Sequence, residues 1–110
     1  MTDDDIRIAI CLLVTRAHAN AAKKGFWSPA PEFGTSIALI MSELGEALEA
    51  HRAGDGPSAK IQTSHVAEEL ADVVIRVCDL CGYYGLPLDR AIMQKMAYNV
   101  SRPHKHGKAY

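Results

Sequence analysis

The sequence predicts an all-α fold, a bundle of about four helices per chain. Three observations lead there. Apolar residues recur at helical spacing in four long segments. No segment alternates in the manner of a strand, and each break is built from glycine, proline or small polar residues. A chain of 110 residues supports one core, so residues 1–110 are read as a single domain.

Thr2 is suited to cap the first helix, and Asp3, Asp4 and Asp5 lie favourably against its positive end. Ile6, Ala9, Ile10, Leu13 and Ala17 then repeat at helical spacing, which predicts a helix from about residue 3 to 22. Lys23-Lys24-Gly25 is a stop, and Phe26-Trp27-Ser28-Pro29-Ala30-Pro31 is a loop because two prolines interrupt it. The second helix spans Glu32 to His51, and Ala53-Gly54-Asp55-Gly56-Pro57-Ser58 ends it with a tip expected to be mobile. Thr63 or Ser64 caps the third helix, which reaches about Tyr83 with an apolar stripe of Val66, Leu70, Val73, Val77 and Leu80. Ile75 is expected opposite its acidic edge, so this helix is apolar on more than one face. In so small a chain the extra cover is expected from another copy, a homo-oligomer that is either dimer or tetramer. Pro87 suits the first turn of the fourth helix, which runs through Ala91, Ile92, Met96 and Val100 until Pro103.

With a net charge of −1, bulk electrostatics neither suggests nor excludes a nucleic-acid partner. The basic residues are confined to one helix end and the tail, so no stable nucleic-acid partner is expected. The N-terminus is acidic where a signal peptide is basic, and no apolar run approaches the ~20 residues of a membrane span. A cytoplasmic protein without a membrane partner is the expectation. Cys11, Cys78 and Cys81 lie in apolar helical patterns and read as reduced core thiols. The Cys78-Asp79-Leu80-Cys81 spelling has no second pair at metal spacing, which argues against zinc.

Two acidic pairs carry the chemistry: Glu43 with Glu46, and Glu69 with Asp72. Each is spaced i, i+3, so both carboxylates of a pair share one helix face. Leu39, Ser36, Ala47 and Ala50 surround Glu43 on the helical wheel, at about 100° per residue. Four carboxylates then converge between two packed helices. Like charges in a partly dry site repel, and a divalent cation with oxygen ligands relieves them. Mg²⁺ is the default, with Mn²⁺ also compatible.

Lys95, Asn99 and Arg102, spaced i, i+4, i+7, form a donor-rich stripe on the fourth helix, followed by His104, Lys105, His106 and Lys108. Acidic cation ligands facing such a stripe suit a phosphate ester, and specifically the hydrolysis of a nucleotide polyphosphate. Phe26 and Trp27 either stack on a nucleobase or cover the end of the bundle. His18, Lys23 and Lys24 are expected as solvated surface, Glu49 and Glu68 as pointing away. Asp79 continues the acidic edge of the third helix.

Most of the chain resembles the MazG-like all-α nucleotide pyrophosphohydrolases. Glu43-x-x-Glu46 and Glu69-x-x-Asp72, separated by 22 residues, are similar to the family's ExxE and ExxD pair. Lys95 to Pro103 resembles its K…N..RP segment, and His106-Gly107-Lys108 the ending of its short members. The resemblance implies that Glu43, Glu46, Glu69 and Asp72 bind Mg²⁺, and that a nucleoside triphosphate is cleaved between its α and β phosphates to monophosphate and pyrophosphate. Lys95, Asn99, Arg102, Phe26 and Trp27 are the expected substrate contacts, with Lys95 also assisting catalysis. Pool cleansing or control of nucleotide levels is the implied role. Many members carry a further acid just before the first glutamate; Ser42 stands there, leaving metal number and the general base, Glu46 or Glu43, open.

The competing reading is a non-catalytic helical module that binds a nucleotide or a protein through the same cleft. A di-iron bundle is disfavoured, because neither acidic motif has the Glu-x-x-His form.

Overall fold

The structure, a computed structural model, describes residues 1–109. Four helices account for most of them: α1 (Asp3–Lys23), α2 (Phe33–Arg52), α3 (His65–Tyr84) and α4 (Leu88–Val100). No strand occurs among the described residues, although Pro57 and Ser64 form an isolated bridge. A short 3₁₀ turn, His104–Gly107, follows α4.

The helix starts follow their caps. Thr2 accepts from the Asp5 backbone N–H at 3.1 Å while the Asp5 carboxylate accepts from the Thr2 N–H at 2.9 Å, closing a reciprocal box. Ser64, one of the two candidates, caps α3 by accepting from the Ala67 N–H. Gly85 ends α3 at φ 66°, a left-handed conformation that glycine adopts without a Cβ penalty. The loop after α2 is tied to α3, since the Asp55 carboxylate accepts from the Val66 N–H at 2.8 Å and the His65 N–H donates to the Gly56 carbonyl.

Helix α3 is the central element, packed against α2 on one side and α1 on the other. Its buried face differs from the predicted apolar stripe. Leu80 is buried with Cys78 and Cys81, but Glu68 and Glu69 are buried too, whereas Leu70 is exposed. Cys11, Cys78 and Cys81 are all free, and burial pushes the Cys78 and Cys81 thiols up. Helix α4 lies on α1, held in part by an Arg7 to Asp89 ion pair at 3.3 Å. No helix among the described residues is long and apolar enough to cross a membrane.

The α1–α3 contact is closest at Gly82. A Cβ there lies 2.6 Å from His18 Cβ and 3.4 Å from Val14 Cγ1, so any side chain pushes the helices apart. Gly82→Ala is expected to destabilise the chain by about 1–3 kcal/mol despite alanine's better helix propensity. A urea midpoint equal to or above the parent's would refute this.

The chain leaves much apolar surface uncovered. It exposes 8152 Å², against about 6,000 Å² for a compact monomer of its mass. Its radius of gyration is 16.2 Å where about 13 Å is usual for this length. Ile37, Met41, Leu44 and Leu48 are all exposed and recur at i, i+4, i+7, i+11, a continuous stripe along α2. On α3, Leu70 and Val74 are exposed in the same way.

Candidate active site

The inner faces of α2 and α3 bring three of the four predicted carboxylates together. Glu43, Glu69 and Asp72 each offer an oxygen within 4.8 Å of the others. Glu43 and Glu69 are each only 8% exposed, and Asp72 is half-buried. Ala47 and Ala50, one and two turns beyond Glu43, are small enough to let the helices close around the acids. Glu46 lies at the exposed rim.

Glu43 and Glu69 each have one oxygen engaged and one without a partner. Arg76 Nε donates to Glu43 Oε1 at 2.9 Å, and His65 Nε2 lies 3.0 Å from Glu69 Oε1. Glu43 Oε2 and Glu69 Oε2 are buried with no hydrogen-bond donor. A buried carboxylate oxygen without a donor is costly, so a pair of them is a strong acceptor for a cation.

The titration of the cluster expresses the same crowding. Burial acts to raise Glu43, but the Arg76 hydrogen bond and the neighbouring Glu46 and Glu69 carboxyls outweigh it and lower its pKa. Glu46 is pushed up to about 7, first by Glu43 and then by Glu69. Asp72 is raised by burial and by repulsion from Glu43, Glu69 and Glu68. Without a cation, Glu46 therefore holds the proton that the cluster needs. The sign follows: the folded chain holds this proton more tightly than the unfolded one between about pH 4.5 and 7, so this contribution favours folding at acid pH and is lost as pH rises through 7. A cation competes with that proton. Divalent-cation affinity is expected to fall as pH drops below 7, by up to about tenfold per unit for one released proton. Calorimetry in two buffers of different ionisation enthalpy checks this; affinity unchanged between pH 8 and 5.5 would contradict it.

A cavity of about 320 Å³ adjoins the acids, lined at one end by Glu43, Asp72 and Arg76 and at the other by Phe26, Trp27 and Asp79. Ile75 stands in its wall beside Asp72 and Arg76, not opposite the acidic edge, because positions three apart on a helix are neighbours. Phe26 is 71% exposed, free to meet a ligand. Trp27 is already engaged: its ring stacks on Tyr83 at 3.9 Å and 8°, and its Nε1–H donates to Asp79 Oδ1 at 2.8 Å.

Three expectations are corrected here. His18 is not solvated surface, since its Nδ1 lies 3.0 Å from the same Asp79 oxygen and its ring meets Trp27 and Tyr83 edge-on. Glu68 does not point away: it is 8% exposed, bonded to the Ser58 hydroxyl and 3.8 Å from Lys60 Nζ, because the 53–64 loop folds back over it. The Lys95–Asn99–Arg102 stripe does not face the acids within one chain, because the apolar side of α4 docks on α1. Lys95 and Arg102 instead lie over the Tyr98 ring, at 4.7 and 5.4 Å, and Asn99 Oδ1 is buried without a partner.

Arg76, His65, Asp79 and His18 were not among the predicted site residues. Arg76 carried one signal, its spacing of i+4 from Asp72 on the acidic side of α3.

No protein-family model, curated protein or solved structure matches this chain.

Proposed function

We propose that the chain is a MazG-like nucleoside triphosphate pyrophosphohydrolase, dependent on Mg²⁺ or Mn²⁺, that cleaves between the α and β phosphates to release a monophosphate and pyrophosphate. The observation that carries this reading is the pair of buried, donorless oxygens on Glu43 and Glu69, clustered with Asp72, where Glu43 and Asp72 open onto a cavity that also has an aromatic wall. An all-carboxylate donor set suits a hard divalent cation. When bound, the cation supplies neutralisation of phosphate oxygens and a more acidic water.

The chain's own residues divide the remaining work. Glu43, Glu69 and Asp72 hold the cation, and Arg76 keeps Glu43 ionised and oriented. Glu46 sits beside them at the exposed rim, where it can accept a proton from the attacking water. Phe26 offers an apolar face to the base, and Trp27 forms the fixed wall behind it. Lys95, Asn99 and Arg102 supply the phosphate contacts from a second copy, since α4 contributes nothing to the cavity of its own chain.

The second copy also covers the exposed stripes. The excess surface of about 2,000 Å² per chain matches one side of an obligate homodimer interface. We place the activity in the cytoplasm, where nucleotides are held and thiols stay reduced.

The test is product analysis after incubation with a panel of ribo- and deoxynucleoside triphosphates, with Mg²⁺ and with chelator. Monophosphate plus pyrophosphate, formed only with the metal, is expected. Diphosphate plus phosphate overturns the bond assignment, and tight nucleotide binding without any product favours a binding module.

A further inference from the structure

The aromatic end of the cavity contains a carboxylate that the proposed reaction does not use. Asp79 lines the cavity. Its Oδ1 is held by two groups from different elements, Trp27 Nε1 at 2.8 Å from the loop and His18 Nδ1 at 3.0 Å from α1. Indole N–H is only a donor, so this oxygen must accept, and the two contacts together fix the plane of the carboxylate with one oxygen engaged at a time. Its second oxygen, Oδ2, has no protein partner among the described residues. Asn20, which carries a donor and an acceptor, lines the same cavity.

We propose that Asp79 is the base-reading residue, and that it selects nucleotides whose base presents an exocyclic amino group over those presenting a keto group there. The inference rests on the pyrophosphohydrolase reading for the identity of the ligand. Its own logic is the acceptor-only edge of a pinned carboxylate. Cytosine and adenine each offer an amino hydrogen to Oδ2 and a ring nitrogen acceptor to the Asn20 amide. Guanine also meets Oδ2 with donors. Uracil and thymine place the lone pairs of O4 where cytosine has its amino hydrogens, and a carboxylate repels them. Trp27 has no such role, because its N–H is held by Asp79 and one ring face is covered by Tyr83. A site built around a hydrogen bond rejects the mismatched isostere more strongly than an apolar pocket does.

The decisive pair is dCTP and dUTP, which have the same size and differ only at this edge. With the intact protein and Mg²⁺, kcat/KM and competitive affinity are expected to favour dCTP by about tenfold or more. The Asp79→Asn variant sharpens the test. Trp27 still requires an acceptor, so the amide oxygen takes the Oδ1 position and its NH₂ faces the base, and the preference is expected to reverse toward dUTP. Equal hydrolysis of both triphosphates by the parent overturns the base-reading role and leaves the reaction standing. A parent that prefers dUTP, or an Asp79→Asn protein that folds and still prefers dCTP, also overturns it. Absence of binding and product for either nucleotide overturns the inference together with the function it rests on.

Discussion

Glu43→Gln is expected to lower metal-dependent kcat/KM by about three orders of magnitude or more, because on the proposed reading it removes a cation ligand beside the reacting phosphate. The change is nearly isosteric, so the packing beside Ala47 is kept. Its effect on the unliganded fold is small and in the same direction. Burial opposes the Glu43 charge, but its pKa is lowered on balance, chiefly by Arg76, so the fold favours this charge and the unliganded variant is expected to melt slightly below the parent. An upward shift with Mg²⁺ is expected of the parent and should be absent from the variant. Asp72→Asn is expected to lower activity likewise but to melt at or above the parental temperature, as its raised pKa marks a charge the fold holds unwillingly. A merely structural role predicts a lower melting temperature instead. Parental turnover in either variant sinks the assignment of the site.

The second large effect is expected on the exposed stripe of α2. Met41 is 64% exposed and Leu44 48%, one turn apart, so Met41→Asp with Leu44→Asp places two charges in the middle of the face assigned to the second copy. Burying an unpaired charge costs several kcal/mol, so the double variant should sediment as a monomer at micromolar concentration. Its melting temperature should fall by about 10 °C or more, since a chain this small shifts about 4–8 °C per kcal/mol. On a free surface the same substitutions change stability by about 0.5 kcal/mol or less. A parent that is itself monomeric under these conditions refutes the assembly. The same experiment extends to the Lys95 stripe. Glu43→Gln and Lys95→Ala proteins, each inactive alone, should recover part of the parental rate when mixed and exchanged, because one copy then supplies the acids and the other the lysine. No recovery would place Lys95 outside the site.

Local signals were legible in the chain wherever they act over three or four residues. Thr2 and Ser64 cap their helices, Gly85 ends α3, and Pro103 follows the last turn of α4 because each condition involves only neighbouring backbone groups. The spacing of Glu69 and Asp72 put both on one face for the same reason. What spacing left undetermined was which face of a helix turns inward. On α3, apolar content pointed to Leu70, yet Glu68 and Glu69 are buried and Leu70 is exposed. Acids inside and leucine outside is the reverse of the monomer rule.

Four helices, their ends and two acidic pairs could be read from the chain alone, since these depend on helical period and on capping within single turns. Packing between helices set the rest: Arg76 and His65 each engage one oxygen of Glu43 and Glu69 respectively, Asp79 is held between His18 and Trp27, and α4 turns away onto α1. His18 and Asp79 lie 61 residues apart, and their contact depends on how closely α1 approaches α3 at Gly82. Helical period gives the angle of a side chain about its own axis, but not the distance or rotation of a neighbouring helix, which side-chain volume and packing set together.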